Sequence, residues 1–232
     1  MLLTTASGCI STTKHINSSV VDYLYNDEKE TNQPLRQTKL KLPLKIGIAF
    51  APTNVSATRS PITKPEKIQL LEQIADKFRD YEFVDKLEVI PAAYLRTKGG
   101  FDNLKQIRKM YDIDVIALVS YDQVQFTDEG ALSMTYLTIV GAYLFSGEKN
   151  DTSTLLDTTI YDIKSRKLLF RAPGSSNVKG RSTPINLSEA LREDSLKGFT
   201  LATQDMIKNL QDELAKFRNK LTNKDSKINV SD

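Results

Sequence analysis

Large apolar residues at Leu44, Ile46, Ile48 and Phe50 alternate with Lys45, Gly47 and Ala49, the period-two spacing of a strand with one heavy face. Farther on, Thr63 and Glu66 have capping-box spacing around Pro65, which predicts a helix start. Ile68, Leu71, Ile74, Ala75 and Phe78 then fall on one helical stripe. A strand over residues 86–90 follows, then a loop through Gly99-Gly100 and a helix over residues 103–111. Leu104, Ile107 and Met110 are expected on the inner side of that helix. Val115-Ile116-Ala117-Leu118-Val119 is an unbroken β-prone run, the mark of a central strand covered on both faces.

Beyond Gly130 the rhythm changes. Leu132, Met134, Tyr136, Val140, Ala142 and Leu144 lie on one side of a long predicted strand, and Thr158 and Ile160 belong to the next. Residues 161–170 read as two strands joined by a polar turn, and residues 171–184 as a basic loop rich in Gly and Ser. From near Ser188, Leu191, Phe199, Met206, Leu210, Leu214, Phe217 and Leu221 follow helical spacing over many turns.

This order predicts an α/β (α+β) fold with a mixed sheet of about five or six strands. It has a βαβαβ start, a meander with a hairpin, and covering helices that include a long carboxy-terminal one. The domain is expected over residues 44–221. Residues 10–43, rich in Ser, Thr, Asn, Lys and Glu, read as a flexible tether. Within it, Val20-Val21-Asp22-Tyr23-Leu24-Tyr25 is an apolar island expected to pack on the body. Residues 222–232 read as a frayed polar tail.

Composition narrows the function. The chain is 40% hydrophobic and 26% charged, close to globular averages. Its formal charge of +3 is spread among alternating signs, which argues against nucleic acid as a partner. No unbroken run of apolar residues approaches the roughly 18 residues that suggest a membrane-spanning helix.

The lone cysteine, Cys9, changes the picture more. It ends Ala6-Ser7-Gly8-Cys9, and three small residues before a cysteine suit the narrow cleft of a lipoprotein signal peptidase. Residues 1–9 therefore read as the remnant of a signal peptide with its lipid-attachment site. Met1-Leu2-Leu3 reads as the tail of an apolar run, so the expected leader begins upstream, with a basic and apolar extension.

Several segments together resemble the rhombotarget lipoproteins, a family of the bacterial envelope. They are Ser-Ser-Val-Val-Asp-Tyr-Leu-Tyr at 18–25, Lys-Ile-Gly-Ile-Ala-Phe at 45–50, and Asp-Val-Ile-Ala-Leu-Val-Ser-Tyr-Asp-Gln-Val-Gln-Phe at 114–126. Ile-Val-Gly-Ala-Tyr-Leu at 139–144, Gly-Glu-Lys-Asn-Asp-Thr at 147–152, Arg-Lys-Leu-Leu-Phe-Arg-Ala-Pro-Gly at 166–174 and Asn-Leu-Ser-Glu-Ala-Leu-Arg-Glu-Asp-Ser at 186–195 complete the set. The resemblance implies an exported protein lipidated at Cys9, palmitate among its acyl chains, in bacteria that also encode a rhombosortase. Ile10 after the cysteine, in place of Asp, implies passage to the outer membrane, facing the periplasm. Rhombosortase substrates carry a Gly-Gly signal with an apolar helix near the carboxy terminus; Lys-Ile-Asn-Val-Ser-Asp stands there instead. The element order is also similar to periplasmic assembly domains, such as the amino-terminal domain of the Tol-Pal translocation protein and the curli-secretion lipoprotein.

Candidate chemistry is sparse. His15, the single histidine, lies in the expected tether, where a general base would not be held in reach of a substrate. Asp112, Asp114 and Asp122 flank the central strand and offer the alternative of an envelope-maturation enzyme working through strand-end carboxylates. No phosphate-binding glycine motif is present. Catalytic residues, metal ligands and cofactors are therefore not assigned. Arg171, Lys179 and Arg181 are expected to meet an envelope protein or glycan. The leading expectation is a non-enzymatic, lipid-anchored envelope protein with a binding or scaffolding role; a soluble cytoplasmic domain is the other alternative.

Overall fold

The computed structural model describes residues 11–25, 38–53, 62–129, 148–182, 185–222 and 228–231. The elements are β1 (Ser11–Asn17), α1 (Val20–Leu24), β2 (Thr38–Lys41), β3 (Leu44–Phe50), α2 (Lys64–Asp76) and β4 (Val84–Val89). They continue with α3 (Gly100–Tyr111), β5 (Val115–Glu129), β6 (Glu148–Asp162), β7 (Lys167–Ser182), α4 (Leu187–Thr222) and β8 (Ile228–Ser231). The main sheet runs β4-β3-β5-β6-β7, with β1 also paired to β5. β3 is parallel to β4 and β5, whereas β5, β6 and β7 are successively antiparallel. This is the expected mixed α/β architecture.

β5 organises the sheet because one of its edges serves two strands. Residues 115–119 pair with β3 and residues 122–128 with β1. Its unbroken apolar run is covered on both faces, as expected. Val115, Ala117, Val119 and Tyr121 join α2 and α4 in one core, while Ile116 and Leu118 join α1 and α3 in the other.

The amino-terminal stretch departs from the expected tether. Residues 11–17 form β1, the apolar island forms α1 with Val20, Tyr23 and Leu24 buried, and residues 38–41 form β2. β2 pairs in parallel with β8, an element within the stretch read as a frayed tail. Main-chain pairing across more than a hundred residues is invisible to local composition, which registered only the polar side chains between these segments.

The strands β5, β6 and β7 run farther than apolar alternation predicts. Their outer halves bury Gln123, Gln125, Thr152 and Thr154 beneath α4. Gln123 Nε2 donates to Thr154 Oγ1 at 2.7 Å and to the Ser195 carbonyl at 3.2 Å, while Ser195 Oγ donates to Gln123 Oε1 at 2.5 Å. Gln125 Nε2 donates to the Leu191 carbonyl at 2.7 Å. Polar groups can be buried here because each meets a partner. Ser195→Ala strands the Gln123 carbonyl and is expected to cost about 1–3 kcal/mol, read as a lower urea midpoint with an unchanged slope.

Two helical assignments shift. Met110 is 62% exposed, because α3 turns Phe101, Leu104 and Ile107 inward and ends at Tyr111. Ile68 is 40% exposed, and the buried side of α2 carries Leu70, Leu71, Ile74 and Ala75. That stripe, extended one turn toward the helix start, arrives at Lys67. The long strand expected over residues 132–144 lies outside the described residues.

Candidate functional site

Of the carboxylates considered for catalysis, Asp122 stands apart from Asp112 and Asp114. Asp112 caps α3 in the left-handed conformation and pairs with Lys45 Nζ at 2.6 Å. The Lys45 hydrogen bond holds its carboxyl below the usual range, as an exposed ion pair does. Asp114 receives Arg108 at 2.6 Å. Asp122, eight residues along the strand and thus about 27 Å away, accepts from His15 Nε2 at 2.6 Å. His15 is held on β1, not on a flexible tether, yet the pair lies on an open sheet face with both side chains about half exposed. Among the described residues no group of three or more His, Cys, Asp or Glu is placed to hold a metal ion.

The basic loop expected over residues 171–184 is corrected. Residues 167–182 form the edge strand β7, paired along β6. Gly and Ser fit here because the side facing α4 leaves no room: at Gly174 a Cβ would stand 2.5 Å from the Met206 nitrogen. Arg171, Lys179 and Arg181 are exposed on one side of β7. They do not make one cluster, since Arg171 is about 27 Å from Lys179 along the strand and pairs with Asp157 at 3.1 Å. Cys9 lies outside the described residues.

The geometry offers a different concavity. The chain leaving β3 passes to α2 on one face of the sheet, and the chain leaving β4 passes to α3 on the other. In open α/β sheets the crevice outside the carboxyl ends of the strands is where ligands settle. Here a cleft of about 340 Å³ opens at those ends, lined by Phe50, Lys67, Leu71, Ile90, Pro91 and Leu95 among others.

Each wall has a local cause. The Thr63 capping box starts α2, with Thr63 N–H donating to Glu66 at 2.6 Å, and this fixes the first turn that carries Lys67. The opposite wall, a short 3-10 turn over Ala92–Tyr94 with the residues after it, is held by buried Asn103. Asn103 accepts from Arg96 N–H at 2.8 Å and from the Tyr23 hydroxyl at 2.9 Å, and donates to the Tyr94 carbonyl at 3.2 Å.

Lys67 is the unusual group. Its Nζ lies 4.9 Å from the centre of the Tyr121 ring and 5.7 Å from that of Phe50, and it donates to the Tyr121 hydroxyl at 3.3 Å. No carboxylate among the described residues pairs with it. Burial drives its pKa down to about 8, since a desolvated ammonium is disfavoured. Sequence reading missed it because a lysine beside an apolar stripe is ordinarily solvated; its spacing from Leu71 and Ile74 was the available signal.

A second cavity, about 80 Å³ between α2, α4 and the sheet, is bounded by Ile48, Ile74, Phe78, Ile160, Leu210 and Phe217 and by other largely apolar groups. With no polar surface to orient a ligand, it is a packing gap.

No protein-family model matches the chain, and no curated protein matches it significantly. Among solved structures, it is similar to a neuraminyllactose-binding hemagglutinin homolog from Helicobacter pylori, with 9% identity, a TM-score of 0.42, and coverage of 81% of this chain and 95% of that one. It is also similar to a PelC dodecamer from Paraburkholderia phytofirmans, with 10% identity, a TM-score of 0.33, and coverage of 87% and 96%. These likenesses are distant and assign no function.

Proposed function

We propose that this chain is a bacterial envelope lipoprotein of the rhombotarget kind, anchored through lipid on Cys9 to the outer membrane and facing the periplasm. Its α/β domain binds or scaffolds another envelope component and performs no catalysis. The observation that carries the reading is the Ala6-Ser7-Gly8-Cys9 sequence directly ahead of a folded domain. Only Ile10 separates Cys9 from β1, so the anchor would hold the domain close to the bilayer.

The topology supports an orientation. Ser11 of β1 pairs with Asp128 of β5, and the next register position joins Glu129 to Glu148. The amino-terminal anchor and the chain between β5 and β6 therefore meet the sheet at one end. The sequence of residues 130–147 contains no Asp, Glu, Lys or Arg, so it carries no charge that would be costly beside the hydrocarbon of a bilayer. Lys179 and Arg181 lie toward the same end, opposite Asp151 and Lys149 in the β6 register; together with Arg171 they remain the surface positions proposed for a partner protein or glycan.

Expression of the gene with its natural leader, followed by mass spectrometry of the amino-terminal peptide, is expected to give a diacylglyceryl thioether and an acylated amine on Cys9. Cys9→Ala should release the protein from membranes. A bare thiol in a wild-type product of unchanged solubility would rule out anchoring.

A further inference from the structure

We propose that the cleft at the carboxyl ends of β3 and β4 is a binding site for a small organic anion, whose charged group pairs with Lys67 while its apolar body lies between the strand ends and the 3-10 turn. This goes beyond the envelope reading and does not rest on it, since it concerns the folded domain whether or not Cys9 carries lipid.

Charge is the first argument. The cleft walls hold Lys64 and Lys67 and no carboxylate. Glu66, the nearest acid in sequence, is turned away to cap the Thr63 amide, and the connection over residues 51–63 contains no Asp or Glu. Lys67 is therefore a cation whose described neighbours are rings and a hydroxyl, and rings stabilise an ammonium only in part. An incoming carboxylate or phosphate supplies the missing counter-charge in a partly desolvated place, where such a pair is stronger than on an open surface.

Shape is the second. A volume of about 340 Å³ falls at the small end of the range for ligand pockets. Phe50, Leu71, Ile90, Pro91 and Leu95 offer apolar walls, and Thr53 and Thr97 also belong to the lining. Inorganic phosphate would leave these walls unused, and a neutral aromatic would leave Lys67 unpaired. The site thus selects a molecule with both features.

Energetics is the third. Burial without a counter-ion costs stability, and the depressed basicity of the amine records that cost. Its groups are few: Tyr121 faces it from β5, Lys64 shares its helix, and the lining of β3 and the 3-10 turn is not titratable. A bound anion is expected to raise the basicity of the amine again.

The test is an amide NMR titration of the full chain near neutral pH with benzoate and phenyl phosphate. Benzyl alcohol and inorganic phosphate serve as controls. Saturable shifts are expected at Ala51, Lys67 and Ala92 for the two aromatic anions, with affinity about ten-fold weaker or less for each control. Lys67→Met should lose about ten-fold for benzoate, and Lys67→Arg should retain binding. If Lys67→Met does not fold, benzoate binding to the wild type at about pH 6 and about pH 10 replaces it, with the same loss expected as the amine deprotonates. Equal binding by wild type and Lys67→Met, equal binding of benzyl alcohol, pH-independent binding, or shifts located away from the cleft would each overturn the proposal.

Discussion

Lys67→Met is expected to stabilise the domain near neutral pH by on the order of 2 kcal/mol and to remove a rise in stability at alkaline pH. In the folded chain the amine titrates near pH 8, against an ordinary value of 10.5. Below pH 8 both folded and unfolded chains carry the proton, and the folded one bears the penalty of a desolvated charge. Between pH 8 and 10.5 the folded chain has released its proton while the unfolded chain keeps it, so stability increases with pH across that window. The full shift would correspond to about 3 kcal/mol, which partial solvent access reduces. Methionine retains the apolar stem beside Phe50 and Tyr121 and removes the charge. Urea unfolding at several pH values checks both parts, and an unchanged alkaline slope in the variant would refute the account. A residue that lowers stability in a cleft is also what a binding function tends to preserve.

Gly174→Ala is expected to cost about 3 kcal/mol. A Cβ there would meet the Met206 nitrogen and Met206 Cβ at 2.5 Å, with the Ala202 carbonyl oxygen closer still. These include main-chain atoms of α4 in the middle of a long helix, so relief requires α4 to lift from β7. Lifting it exposes Phe199, Ala202 and Met206, all fully buried. Gly47→Ala is the instructive contrast. Its crowding, 2.6 Å, comes from the methyl tips of Ile113 and Ile90, which can rotate away, so a loss of about 1 kcal/mol is expected. Paired thermal and urea measurements check the difference; equal losses at the two glycines would show that α4 is not closely seated.

The legibility of the chain varied with the chemistry of its burial. Leu44 to Phe50 and Val115 to Val119 announced strands because their buried partners are apolar and aliphatic side chains need no specific neighbour. The stretch over residues 171–182 looked like a loop for the opposite reason. Its inward positions are Ala172, Gly174, Ser176, Val178, Gly180 and Ser182, small because α4 presses closely on them, and smallness in sequence is indistinguishable from permissiveness. The candidate site was less legible still. Arg171, Lys179 and Arg181 could be picked out by charge, but their separation along a strand could not. Lys67 went unnoticed because its environment is assembled by Phe50, Tyr121 and the 3-10 turn.

By itself the sequence determined the βαβαβ order from β3 to β5, the central place of β5, the covering role of α4 and the small-residue setting of Cys9. Each of these rests on periodicity or on covalent neighbours, both carried by adjacent residues. Tertiary structure alone decided that β1 extends the sheet, that polar strands remain buried, and where a lysine without a carboxylate partner among the described residues meets a cleft. Those features depend on contacts such as Gln123 with Ser195, 72 residues apart. A polar side chain is buried at little cost only where the fold brings partners to it.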